Sequence, residues 1–278
     1  PFADCQQSVA AASVSNITLS DGEDLNMVLG SVLSEPIRLR WSGEPLADNL
    51  KQLFLASDSA ASDPMKVLKP LARIYNSIYL GRIVVSDILG RFVVSDIAVS
   101  VAQSQPTPAT IQISSHEFGP FSWEGGLESF AVRGITIFLK DMFSTKVGSY
   151  GLSDLKLPQF EEFIDISAQE IGDPSVLMQL APTVAEVFLT DLDFQILDPA
   201  HNKGGPIKLD AVRISAAEYI NAVPSRLMSS VEGLSVPLGY VDGAGTRRDL
   251  EAFGMELIEI DGRIALDYDQ TTQVLALE

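Results

Sequence analysis

The sequence predicts an α+β fold, β-rich, built of mainly antiparallel curved sheets with a few Pro-kinked amphipathic helices packed against them. Three observations lead there. Segments alternating apolar and polar residues, bounded by Gly and Asp, recur along the chain as half-buried strands do. A phrase is used twice: Asp-Pro, an apolar run broken by a second proline, then apolar-Ser/Thr-Asp-apolar. It runs from Asp63-Pro64 through Pro70 to Val85-Ser86-Asp87-Ile88, and again from Asp173-Pro174 through Pro182 to Leu189-Thr190-Asp191-Leu192. Asp261-Gly262, flanked by alternating apolar residues, is a strong hairpin signal.

Taken in order, Ile17-Thr18-Leu19 and the run from Pro36 to Trp41 read as short strands, Leu46 to Leu55 as a short helix, and Ser57 to Ser62 as a polar break. Asp63 is a good N-cap, and Pro64 suits the first helical position, where its missing N–H costs nothing. From there to residue 80 two apolar stripes run down the expected helix. Met65, Leu68, Ala72, Tyr75 and Tyr79 form one, and Val67, Leu71, Ile74 and Ile78 the other. So wide an apolar girth needs wrapping by a sheet or a partner. Pro70, Pro182 and Pro224 interrupt three such helices, the third opened by a capping box at Ser215 and Glu218.

Ile83–Ile88 is nearly repeated as Phe92–Ile97 across Gly90-Arg91, which reads as two adjacent strands. Further strands are expected at Thr110–Ser114, Ala131–Lys140, Leu152–Leu157, Val187–Leu197 and Pro206–Ile214. In the fourth of these, Phe188, Leu192, Phe194 and Ile196 share one face, and Asp191, Asp193 and Gln195 the other. Glu256–Ile260 and Arg263–Tyr268 pair about Asp261-Gly262, and a turn at Asp269-Gln270 feeds a last strand. No composition shift marks a boundary. The chain reads as a single elongated domain (1–278) or as two similar helix-plus-sheet halves, about 1–157 and 158–278.

Composition narrows the function. Of 278 residues, 46% are hydrophobic and 20% charged, with a net charge of −18, a globular balance that repels phosphate backbones and argues against nucleic acid as a partner. One cysteine, Cys5, allows neither an intramolecular disulfide nor a Cys-based zinc site. No apolar window is long enough for a transmembrane span. The start at Pro1 fits an exported, periplasmic protein whose signal or anchor has been removed at the front.

Chemistry is sparse. His116 and His201 fall on separate, loop-like segments. Ser153-Asp154-Leu155-Lys156 matches a Ser-x-x-Lys motif but alternates like a strand, which separates Ser from Lys. Asp267 to Glu278 begins like a calcium loop but has Thr272 where the turn needs glycine. No phosphate loop, nucleophile elbow or dinucleotide fingerprint occurs, so no enzyme, cofactor or metal site is expected. What remains is aromatic: Phe118, Phe121 and Trp123, with Phe130, Phe138 and Phe143, either line a groove or pack a core. The expected ligand-binding set is Leu71, Tyr75, Phe118, Phe121, Trp123 and Phe138.

The runs Ile83-Val84-Val85-Ser86-Asp87-Ile88 and Ala131-Val132-Arg133-Gly134-Ile135-Thr136-Ile137, with the ending Ile260 to Tyr268, resemble the β-rich periplasmic proteins of Gram-negative bacteria, including AsmA-like ones. The likeness is one of texture over about half of the chain, and it carries over no functional residue. It implies a periplasmic location with lipid handling or envelope assembly. Together these readings lead to the expectation of a non-enzymatic binding or carrier protein that shelters an apolar ligand such as a lipid. The alternative is a structural or assembly factor that meets another protein through apolar faces.

Overall fold

The computed structural model describes residues 7–20, 25–39, 51, 55, 78–94, 107–122, 125–157, 181–199, 202–220, 223–241, 244–269 and 274–277. Among the described residues fifteen strands form a single sheet. They are β1 (Gln7–Val9), β2 (Ala12–Ser20), β3 (Leu25–Ser34), β4 (Ile37–Leu39), β5 (Ile78–Leu80), β6 (Ile83–Val94), β7 (Thr107–Phe118), β8 (Phe121–Ser122), β9 (Gly126–Leu139), β10 (Phe143–Leu155), β11 (Glu186–Ile196), β12 (Ile207–Ile220), β13 (Val223–Pro237), β14 (Leu257–Asp269) and β15 (Val274–Leu277). Every pairing is antiparallel.

The order is a meander. β2, β3, β6, β7 and β9 lie side by side, and β9 continues through β10, β11, β12, β13 and β14 to β15. The short strands β1, β4, β5 and β8 extend this arrangement beyond breaks at residues 10–11, 35–36, 81–82 and 119–120. The breaks lie side by side: the Glu35 N–H donates to the Arg82 carbonyl at 2.8 Å, and the Gly119 N–H to Ser129 at 2.9 Å. A Cβ on Gly81 would come within 2.6 Å of the Glu35 Cβ, which fixes a glycine at that contact.

The strands form where β-branched and aromatic residues alternate with Ser, Thr and charge, the composition that fits a pleated, half-buried surface. The predominantly antiparallel β-rich fold is therefore as read from sequence, while the helices are overstated. Among the described residues the one complete α-helix is α1 (Ala244–Ala252), between β13 and β14. The third expected helix does not exist: Ser215 and Glu218 lie within β12 and Pro224 within β13. Period-two apolar alternation there outweighs the capping-box spacing. Of the helix expected from Asp63 to residue 80, Ile78–Leu80 is strand β5, and the other residues lie outside those described. Ala181 and Pro182 lie in neither helix nor strand, beside a bridge between Thr183 and Lys156; the second expected helix from Asp173 to residue 180 is outside the described residues.

Both expected hairpins are single strands. Residues 83–94 form one continuous β6, with Gly90 opposite Ile111 and Met27. Asp261-Gly262 sits in the middle of β14 and not at a turn. The last strand does fold back, β15 pairing with Leu266–Asp269.

Candidate functional site

A row of small and acidic residues crosses the sheet at one height. Between the pairs Ser15↔Ser31 and Ile17↔Leu29 stand Asn16 and Gly30; the next ladders carry the row on through Asp87, Ser114, Gly134, Gly148, Asp191, Asp210 and Gly233 to Asp261. Pairing lapses at this row in each of the nine ladders from β2:β3 to β13:β14. On alternate strands the residue is left-handed: Asn16 (φ 57°), Asp87 (55°), Gly134 (61°), Asp191 (52°) and Gly233 (62°). Gly, Asn and Asp are the residues that enter this region at least cost.

The backbone change resets the side-chain alternation. A regular strand sends residues i and i+3 to opposite faces. In Val85-Ser86-Asp87-Ile88, however, two residues separate the apolar pair, and so they do in Val14-Ser15-Asn16-Ile17, Val132-Arg133-Gly134-Ile135, Leu189-Thr190-Asp191-Leu192 and Val231-Glu232-Gly233-Leu234. The left-handed residue turns the strand so that both apolar residues return to one face, and it bends the strand as a bulge does. The sheet is thereby creased with its apolar face inside. Val132 and Ile135, flanking Gly134, are 3% and 7% exposed, whereas Asp87, Asp191 and Asp210 in the crease are exposed.

The repeated sequence phrase is thus the crease itself. It also corrects the expected faces of β11. Because Asp191 resets the alternation, Leu189 joins Leu192, Phe194 and Ile196 on the apolar side. Phe188 goes to the other side, beside Gly151 and Arg213.

On one side of the crease an aliphatic row runs Ile17, Leu29, Ile88, Ile113, Ile135, Val147, Leu192, Leu209, Leu234 and Ile260, with Met27, Ile111, Ile137, Phe194 and Ile207 in a parallel row beyond it. At strand spacing the first row is about 43 Å long. On the other side stand Val14, Val32, Val85, His116, Val132, Tyr150, Leu189, Val212 and Val231. Among the described residues no large side chain is fully buried, and Val14, Tyr150, Val187, Ile214 and Ile260 on this face are 40–53% exposed.

The expected site residues divide. Phe118 pairs with Ile83 and Phe130 on the apolar face, and its ring lies 6.4 Å from that of Phe121. Phe130 meets His116 edge-on at 5.1 Å and Tyr150 at 6.2 Å. Phe138 sits apart from this group, paired with Thr110 and Ser144 and 41% exposed, in a largely polar row. Phe143 stacks instead on Phe194, at 5.8 Å. Leu71, Tyr75 and Trp123 lie outside the described residues.

His116 is not a loop residue. It stands in β7 between Val85 and Val132, with Nε2 buried and without a hydrogen-bond partner. His201 lies outside the described residues. Sequence reading missed Glu117, the next residue, which is 8% exposed on the polar face. Arg82 Nε and Arg133 Nη1 reach its two carboxylate oxygens at 2.6 and 2.7 Å. The Arg82 hydrogen bond, aided by that from Arg133 and opposed by burial, holds the carboxyl below its usual range. Arg213 pairs with Glu186 on the same face at 2.9 Å. Among the described residues no three His, Cys, Asp or Glu side chains are grouped to hold a metal, and no helix is long and apolar enough to cross a membrane.

No protein-family model matches this chain, and neither a curated protein nor a solved structure shows significant similarity to it.

Proposed function

We propose that this protein is a non-enzymatic carrier of the cell envelope, which shelters an apolar ligand of the lipid class against the inner face of its creased sheet. The observation that carries this reading is the largely apolar face on both sides of the crease, maintained strand after strand by a backbone device and yet partly open to solvent. A soluble domain that needed only a core would cover such rows. Exposed apolar surface on this scale marks a ligand or partner site. Long aliphatic rows with few polar groups suit acyl chains, which need area and little hydrogen bonding. The polar face carries the ion pairs of Glu117 with Arg82 and Arg133 and of Glu186 with Arg213, in keeping with solvent contact.

Native mass spectrometry and solvent extraction of the purified full chain test the reading. Acyl lipid bound in near-stoichiometric amounts supports it. A lipid-free protein that gains none from vesicles overturns it and favours the alternative, an assembly factor whose apolar face meets another protein.

A further inference from the structure

The rule that builds the sheet also specifies a strand that would extend it. Each left-handed residue of the crease faces, on its described neighbours, a Gly, Ser or Asp without positive φ: Asp87 lies between Gly30 and Ser114, and Asp191 between Gly148 and Asp210. Of the intervening strands, β3, β10 and β12 read apolar-[Gly/Asp]-small-apolar, as in Leu29-Gly30-Ser31-Val32 and Val147-Gly148-Ser149-Tyr150, while β7 has Ser114 in the second place and His116 in the last, and β14 ends the phrase on Arg263. β2 carries the left-handed member Asn16, and among the described residues its one pairing partner is β3.

Ala12–Ser20 contains no charge and no proline, and Val14 and Leu19 are 53% and 47% exposed. Proteins ordinarily blunt a strand edge with charge, proline or a bulge, because its free N–H and C=O groups template pairing. The far side of the sheet is blunted in this way. Where β15 leaves β14 uncovered, Glu259, Asp261 and Arg263 interrupt the apolar residues.

We infer that β2 is a docking edge for an extended segment of a partner protein, added antiparallel and carrying apolar-[Gly/Ser/Asp]-small-apolar opposite Val14–Ile17. Strand addition of this kind takes affinity from the backbone and specificity from alternate side chains. A second copy is the poorer occupant: β2 against β2 in matching register sets Asn16 against Asn16, two left-handed residues face to face, which no ladder of this sheet contains. The inference does not depend on lipid binding.

The test uses the full chain and a fluorescent, lysine-flanked peptide of Leu25–Ser34, which carries the required motif. A control peptide carries Gly30→Val. Saturable binding, weakened at least tenfold in the control and in Val14→Lys protein of unchanged circular dichroism, with new amide protection confined to residues 12–20, supports the inference. Ser15→Glu serves as the blocking variant if Val14→Lys alters the fold. No saturable binding, equal binding of the control, or protection at β14 instead overturns it. So does a dimer of the chain protected at β2 without any peptide, since the occupant is then a second copy.

Discussion

Asp191 stands against the bare Cα of Gly148: a Cβ built on that glycine would lie 2.7 Å from the Cβ of Asp191, closer than real Cβ atoms come. Gly30 stands in the same relation to Asp87 at 2.7 Å, and Gly233 to Asp210 at 2.9 Å. At these three contacts a side chain on one strand meets a bare Cα on the next, whereas Asp191 faces the side-chain-bearing Asp210 on its other neighbour. Small residues in this row are thus set by contact as well as by φ, since neither Gly30 nor Gly148 has a positive φ.

Gly148→Ala should therefore destabilise the protein by about 1–3 kcal/mol, the range for overpacking. Combining it with Asp191→Gly should recover most of the loss. Urea denaturation of the two single variants and the double variant gives the coupling. Additive losses would mean that the contact does not set the choice of glycine.

Asp191 and Asp87 should accept Asn or Gly with little change, because those residues tolerate the left-handed region. Asp191→Val should cost about 1–2 kcal/mol beyond any lost hydrogen bonding, the cost of left-handed backbone for a β-branched residue without a polar group to bond locally. Thermal melts of Asp191→Asn and Asp191→Val decide this, and equal stabilities would remove φ as the cause.

Glu117 gives a pH-dependent prediction. Its folded carboxyl is held below the usual range, so its contribution is full above the unfolded value and fades as pH falls through that range toward the folded one. Glu117→Gln should cost about 1–2 kcal/mol at neutral pH, the lower part of the range for bonds to charged groups, since Arg82 and Arg133 are 45% and 52% exposed. The gap between wild type and variant should narrow on acidification. A gap unchanged from pH 7 to well below the carboxylate range would show that charge is not what matters.

The strands were legible in the sequence because their alternation is a local signal: Val187–Leu197 lies within one residue of the observed strand at both ends, and Ala131–Lys140 at its C-terminal end, although that strand begins at Gly126. The repeated apolar-Ser/Thr-Asp-apolar phrase was legible too, but not its meaning. Only register shows that Asp87 and Asp191 belong to one row, and register depends on partners remote in sequence. Asp261-Gly262 misled because a pair that suits a turn also suits the crease, where Asp261 stands against Gly233 and neither residue of the pair has a positive φ. Phe118 was found on the apolar face, whereas Phe138 was not, since a backbone reset at Gly134 reverses the count between them.

The sharpest test of the carrier reading lies in β7, where Ile111 and its neighbour Gln112 fall on opposite faces. Ile111 pairs with Gly90 and Ile137 in the apolar row, and Gln112 with Leu89 and Thr136. Ile111→Glu sets an unpaired charge where acyl chains would lie, an unfavourable burial unless the group stays wet. Gln112→Glu adds the same charge on the outer side. Bound lipid, measured by mass spectrometry at equal protein, should fall severalfold in Ile111→Glu and stay constant in Gln112→Glu, with circular dichroism confirming both folds. Equal retention in the two variants would place any lipid away from this face.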